Sequence, residues 1–247
     1  MNSNSNSYIF IYSVVMVVVV AAILSTTATL LKPMQQQNIK NEKMSSILAS
    51  VNIESTPENA EELYNKYVTQ ELVIDTKGHV IGTYENGQLD GEARAFDVNL
   101  KTEQFKQRNG EHFVAPLYVL QNQGQTYYVI PMLGKGLWGP VWGNMALKDD
   151  FNTVVGVIFD HKGETPGLGA EISTTPFEVQ FVDKTIFDEN GNFVSVTIQK
   201  GGAATLPANM QNHAVDAISG GTITSVGVDD MMKDCLINYV PYIKNQK

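Results

Sequence analysis

Two hydrophobic rhythms divide the chain. Residues 8–31 contain no charged side chain, and residues 14–22 are almost continuously aliphatic. At ~1.5 Å rise per residue, this run spans about 36 Å as a helix, enough to cross a hydrocarbon core of ~30 Å. A cleaved leader fits less well: the tail at 1–7 has no lysine or arginine, and the apolar run exceeds the ~7–15 residues of a signal core. The pattern therefore predicts a polar tail at 1–7, a transmembrane helix at 8–31 and a helical stalk at 32–55. Within the stalk Ile39, Met44, Ile47, Leu48 and Val51 recur at helical spacing. A globular domain at 56–247 follows. Thr56, Pro57 and Glu58 read as N-cap, first-turn proline and early acid of a short helix reaching Tyr67.

Beyond that helix the period shortens. Runs at 72–74 and 79–81 flank the turn pair Lys77-Gly78, and runs at 116–120 and 126–132 flank Asn122-Gln123-Gly124, a hairpin pattern. The stretch 85–110 is polar and aperiodic and reads as a surface insertion. Further strands are predicted at 153–159 and, after the turn at Asn190-Gly191, at 193–198. Val228, Met232, Cys235, Leu236 and Tyr239 then share one face of a final helix that Pro241 should end. Strands mixed with segregated helices predict an α+β domain, not a doubly wound sheet.

Composition narrows the chemistry. A formal charge of −9 argues against a nucleic-acid partner, which asks for a basic face. The single cysteine, Cys235, lies among apolar neighbours and reads as a buried thiol; it forms no intramolecular disulfide and no thiolate cluster. His79, His112, His161 and His213 are scattered without ligand spacing, so no metal site and no catalytic group is predicted.

Three glycine-rich segments carry what chemistry there is. Gly134-Lys135-Gly136-Leu137-Trp138-Gly139 matches G-x-G-x-x-G after a strand, but Pro140 and Gly143 leave no room for the dinucleotide helix; a tight turn presenting Trp138 and Trp142 fits better. The loop at 163–169 holds Gly163, Gly167, Gly169 and Pro166, a fixed shape that serves equally as a structural turn or as a ligand contact. In it Glu164 and Thr165 offer polar groups to a heterocycle, and Pro166 and Leu168 an apolar surface. The third segment runs from Asp216 through Ser219, Gly220, Gly221, Thr222 and Thr224 to Ser225, just before the last helix. Unpaired N–H groups and the positive dipole end there suit a phosphate, while simple capping by Ser219, Thr222 or Thr224 accounts for the same residues.

Taken together, Gly136-Leu137-Trp138, the 163–169 loop, Lys200-Gly201-Gly202-Ala203 and the Asp216–Ser225 segment make the chain resemble the C subunit of the Na+-translocating NADH:quinone oxidoreductase. The resemblance covers the apolar span and most of the domain beyond it. It implies an electron-transfer subunit with FMN joined by a phosphoester to Thr222, not Thr224, installed by a flavin transferase. Expected flavin neighbours are Ser219, Gly220, Gly221, Thr224, Asp216, Glu164, Thr165, Pro166, Leu168, Gly169 and Trp138. It further implies, as partners, the A, B, D, E and F subunits of the reductase, a place in the inner membrane, and a large domain on the periplasmic side. That side runs against the positive-inside reading of Lys32, Lys40 and Lys43, but long domains translocate despite such a bias. Gly221 departs from the family's usual alanine, with an expected loss of local order of about 0.5–1 kcal/mol. Two alternatives stand beside it: the G subunit of an Rnf-type ferredoxin:NAD+ oxidoreductase, which shares the acceptor motif and anchor but is disfavoured by Leu137-Trp138 and the 163–169 loop, and a membrane-anchored sensory or ligand-binding domain without redox chemistry.

Overall fold

The computed structural model describes residues 6–246. The chain divides into two compact units, Met1–Lys43 and Met44–Lys247. Helix α1 (Asn6–Ala49) begins in the first, where its apolar stretch is long enough to cross a membrane and none of that stretch is buried. Its final turn enters the second unit, where Met44, Ile47 and Leu48 are buried.

The second unit is built on a seven-stranded sheet in the order β3-β2-β1-β4-β5-β6-β7. The strands are β1 (Val68–Asp75), β2 (Val80–Glu85), β3 (Gln88–Gly91), β4 (Val114–Asn122), β5 (Gln125–Lys135), β6 (Pro140–Leu147) and β7 (Val154–His161), and every neighbouring pair is antiparallel. Alternate residues feed two separate cores. Leu72, Ile74, Leu117 and Val119 join one; Val73, Tyr118 and Leu120 join the other. Because both faces are covered, the central strands read as continuous apolar runs, not as alternation. The α+β expectation holds.

One face carries α6 (Thr222–Leu236), whose Val228, Met231, Met232 and Leu236 are buried, each side chain contributing ~1.5–3 kcal/mol. Glycines set how closely it lies on β5. A Cβ on Gly134 would strike the Met231 side chain, and one on Gly227 would strike the Lys135 carbonyl. The opposite face carries α2 (Ala60–Tyr67) and the end of α1. There Glu71, buried on β1, accepts from both Arg94 Nε and Nη2, from the Tyr64 hydroxyl at 2.8 Å and from the Phe96 N–H at 3.0 Å. Burial and this carboxylate raise the Tyr64 phenol far above its ordinary range.

Several local expectations need correction. Helix α2 starts at Ala60, because the Thr56 N–H donates to Asn59 Oδ1 and 57–59 form a turn ahead of it. The supposed insertion at 85–110 contains β3, a short 3-10 turn at Ala95–Asp97 and α3 (Leu100–Arg108). Helix α3 has no buried residue, so it shows no apolar stripe; Asn99 caps it by accepting from the Thr102 N–H. The run at 193–198 is mostly irregular. Only β8 (Thr197–Gln199) forms, pairing in parallel with β9 (Ala214–Asp216). Two short helices, α4 (Thr175–Glu178) and α5 (Ala208–Gln211), lie in the connections between β7 and β9. Pro241 does not end the last helix either. Helix α6 gives way to a 3-10 turn at Ile237–Tyr239, and Pro241 sits in the first turn of α7 (Val240–Gln246), where its missing N–H costs no bond.

The hairpins follow the turn chemistry. Gln123 and Gly124, like Asn86 and Gly87, both take positive φ, as a two-residue type I′ connection requires. Cys235 is buried, and burial pushes its thiol up to about 11, so it is inert at neutral pH.

Candidate cofactor-binding site

The three glycine-rich segments converge. Leu137 from the β5–β6 turn, residues Glu164, Thr165, Leu168 and Gly169 from the loop after β7, and Gly220–Thr224 at the start of α6 line a cleft of about 240 Å³. Two larger hollows exist, about 580 Å³ beside His213 and Lys233 and about 550 Å³ beside Tyr84 and Arg94. Neither contains a residue of these three segments, so volume does not decide the site; convergence does.

The cleft is organised around the entry into α6. The turn before it closes with Gly221 N–H to the Ile218 carbonyl at 3.1 Å, and Gly220 takes φ +76 within it. No described side chain caps the helix, so the N–H groups of its first turn remain available to an acceptor, at the positive end of the dipole. Thr222 is the first helical residue, is exposed, and lines the cleft. The neighbouring hydroxyls are disposed differently. Thr224 is 1% exposed and donates to Glu164 Oε2 at 2.6 Å. Ser225 is buried and accepts from the Ile218 N–H at 3.3 Å. Ser219 is exposed but lies outside the cleft lining. Geometry thus separates Thr222 from hydroxyls that sequence alone leaves equivalent.

Glu164 is only 4% exposed, and both of its oxygens are engaged within the protein. Oε1 accepts the Trp138 backbone N–H at 2.8 Å, and Oε2 accepts from Thr224. Glu164 thus lines the cleft while its carboxylate bridges two neighbouring segments. Room for the carboxylate comes from two glycines: a Cβ on Gly136 would lie 2.6 Å from Oε1, and one on Gly169 would meet Oε2 and the Thr224 hydroxyl.

The other expected residues divide between cleft and rim. Leu168 lines the cleft half-exposed, and its backbone N–H closes the loop onto the Thr165 carbonyl. Trp138 is 69% exposed beside Leu137, while neither its side chain nor Pro166 lines the cleft. Trp142 lies within β6, not in the turn. Asp216 stands outside; its Oδ1 accepts the Ala203 N–H at 2.7 Å, which ties the Lys200–Ala203 loop to the segment leading into α6. Sequence reasoning misses Ile223, 60% exposed at the cleft, although an apolar residue exposed beside a helix start is an available signal. Gly221, φ −100, is crowded: a Cβ there would sit 3.0 Å from Ile218 Cγ2 and 3.1 Å from the Leu168 carbonyl oxygen. A methyl at this position would require Ile218 and Leu168 to give way by a few tenths of an ångström.

An exposed hydroxyl, an uncapped helix start and the apolar side chains Leu137, Leu168 and Ile223 thus meet in one cleft. The sequence model of the FMN-binding domain matches residues 136–237, which contain the whole cleft. The chain thus contains an FMN-binding domain, and the cleft lies within it. The chain is 34% identical over 239 residues to the C subunit of the Na(+)-translocating NADH-quinone reductase of Haemophilus ducreyi, covering 94% of this chain and 90% of that protein. It is 32% identical to the C subunit from Vibrio parahaemolyticus over 240 residues, 92% and 90% of the two chains. The crystal structure of the C subunit from Parabacteroides distasonis superposes with a TM-score of 0.75 at 36% identity, covering 88% of this chain and 98% of that one. Shewanella oneidensis NqrC, at 23% identity and a TM-score of 0.64, shares the fold over 83% and 98%. This chain belongs to the family of C subunits of the Na+-translocating NADH-quinone reductases.

Proposed function

We propose that the chain is the electron-relaying subunit of this reductase and carries FMN as a phosphoester on Thr222. The observation that supports it most is the exposure of Thr222 at an uncapped helix start while Thr224 is buried and bonded to Glu164. When bound, FMN supplies one- or two-electron redox chemistry. The protein's own part is to hold the phosphate, orient the ring and restrict water. The first-turn N–H groups of α6 would hold the phosphate, and Leu137, Leu168 and Ile223 would offer the ring an apolar wall. Thr165 lines the cleft, while Trp138, Pro166 and Ser219 stand at its rim.

Magnitudes favour a covalent tether. Among the described residues no lysine or arginine lines the cleft, the chain carries a charge of −9, and a helix start contributes ~0.3–1 kcal/mol to holding an anion. Phosphate recognition of that size is worth less than a factor of ten in binding, too little to retain a cofactor at a half-open site. A phosphoester, formed by a flavin transferase, removes the need for tight binding.

The proposed layout keeps 8–31 in the inner membrane, with α1 continuing to Ala49 and the domain that begins at Met44 on the periplasmic side. That domain takes electrons from, and passes them to, its neighbours in the A–F complex during Na+ translocation. The full chain co-expressed with a flavin transferase should give a fluorescent band on denaturing electrophoresis that Thr222→Ala abolishes. A dark wild-type band would overturn the reading.

A further inference from the structure

Glu164 lies outside the Asp216–Ser225 segment yet is bonded to it. Glu164 joins three pieces of chain: its own loop after β7, the β5–β6 turn through the Trp138 N–H, and the first turn of α6 through the Thr224 hydroxyl. The loop is also held from behind, because the Glu164 N–H donates to His161 Nδ1 at 3.1 Å. Gly136 and Gly169 admit the carboxylate only because they lack a Cβ. The two bonds have opposite consequences for the two threonines. Thr224 is withdrawn from solvent with its hydroxyl proton committed, whereas Thr222, two residues earlier, is turned outward on the same helical turn into the cleft. A bond from a hydroxyl to a buried carboxylate is among the stronger kinds, so this link resists fraying at the helix start where a free N-terminus would otherwise open.

We propose that Glu164 is a positioning residue for flavin attachment, holding the start of α6 so that Thr222 alone is presented to the incoming flavin phosphate. The proposal rests on the reading of Thr222 as the acceptor. In the attachment step the Thr222 oxygen forms a bond to the FMN phosphorus of flavin adenine dinucleotide. The phosphoanhydride bond breaks, AMP leaves and the threonine proton passes to solvent or to the transferase. Glu164 touches none of these atoms. It acts by keeping Thr222 and the first-turn N–H groups in one arrangement, a preorganisation that lowers the barrier without chemical participation.

The conservative exchange distinguishes this from plain structural support. In Glu164→Gln the amide oxygen still accepts the Trp138 N–H, and the amide N–H donates to the Thr224 oxygen, so the link survives with its polarity reversed. In Glu164→Ala both bonds go. In Thr224→Val the shape is kept and one bond is lost.

The test is the initial rate of flavin attachment to the full-length chain by a flavin transferase, measured on protein with wild-type circular dichroism, with the modified residue mapped by peptide mass spectrometry. Glu164→Gln is expected within about twofold of wild type, Thr224→Val several-fold slower, and Glu164→Ala at least tenfold slower. Wild-type rates in both Glu164→Ala and Thr224→Val would overturn the proposal, as would a Glu164→Gln rate as low as that of alanine. Should Glu164→Ala fail to fold, the Thr224→Val rate decides alone: slower supports the proposal, unchanged overturns it. Thr222→Ala separates the two levels. Flavin retained in that variant removes the acceptor reading itself; flavin lost there, with Glu164 variants unaffected, removes only the positioning role.

Discussion

The Thr224 hydroxyl donates to Glu164 Oε2 at 2.6 Å across sixty residues of sequence. Both groups are buried, and Gly169 lies against them so closely that any side chain there would enter the bond. Around this contact the loop after β7 and the entry into α6 take their shape.

Gly169→Ala should therefore open the site from within. The added methyl meets the Thr224 oxygen and the carboxylate, an overpacking that typically costs ~1–3 kcal/mol. The expected result is a lower midpoint in urea unfolding, together with reduced flavin attachment. A variant as stable as wild type would mean that the loop yields without strain.

On the far face, Arg94→Ala should be among the most damaging single changes. Glu71 is buried and receives three guanidinium bonds, so removing the partner strands a charge, at a typical cost of ~3–5 kcal/mol. Replacing both with apolar residues of similar size should cost far less. Denaturant unfolding of Arg94→Ala and of Glu71→Leu/Arg94→Met measures the difference.

Acid sensitivity should centre on side chains such as Asp150, which orders the turn into β7. Burial works against its ionisation, but the Thr153 hydroxyl and the N–H groups of Thr153 and Asn152, with Lys148 nearby, outweigh that and hold its carboxyl below the usual range. A depressed carboxyl contributes stability that is complete above the unfolded-state value of ~3.9 and disappears as pH falls through the folded-state value. Asp150→Ala should lose stability at pH 7, reduced by solvent screening at this exposed site to a few tenths of a kcal/mol (~0.2–1), and its deficit should shrink as pH falls through the depressed folded-state value. A deficit independent of pH would contradict the assignment.

Ser195 is a liability the fold tolerates. It holds φ +62, is fully buried, and its hydroxyl has no hydrogen-bond partner among the described residues. Ser195→Gly removes both the left-handed strain and the unpaired oxygen, against the extra backbone entropy of glycine. Since an αL residue with a side chain costs ~1–2 kcal/mol and the entropy ~0.5–1, a net gain of about 1 kcal/mol is expected in thermal unfolding.

Much of this fold is legible in the sequence, and the failures have physical causes. The strands at 116–120 and 126–132 are found because Asn122-Gln123-Gly124 marks their turn, and α6 because Val228, Met232 and Leu236 repeat along one face. Strand β6 is hidden by Pro140 and Gly143: the proline occupies its first position, and Gly143 faces the Ile158 carbonyl at a spacing no Cβ allows. Helix α3 is hidden because it buries nothing. At the site, the shared glycine-rich composition of the three segments foreshadows their convergence. The division of labour between Thr222 and Thr224 has no such signal, since it depends on a carboxylate sixty residues away, and local pattern carries no information about such a partner.

The most direct measurement is the mass of the peptide containing Thr222, taken from the full-length chain matured with its flavin transferase. The account predicts a mass increase equal to FMN less one water, localised by fragmentation to Thr222 and absent from Thr224 and Ser219. An unmodified peptide, or flavin on either of the other two residues, would contradict it.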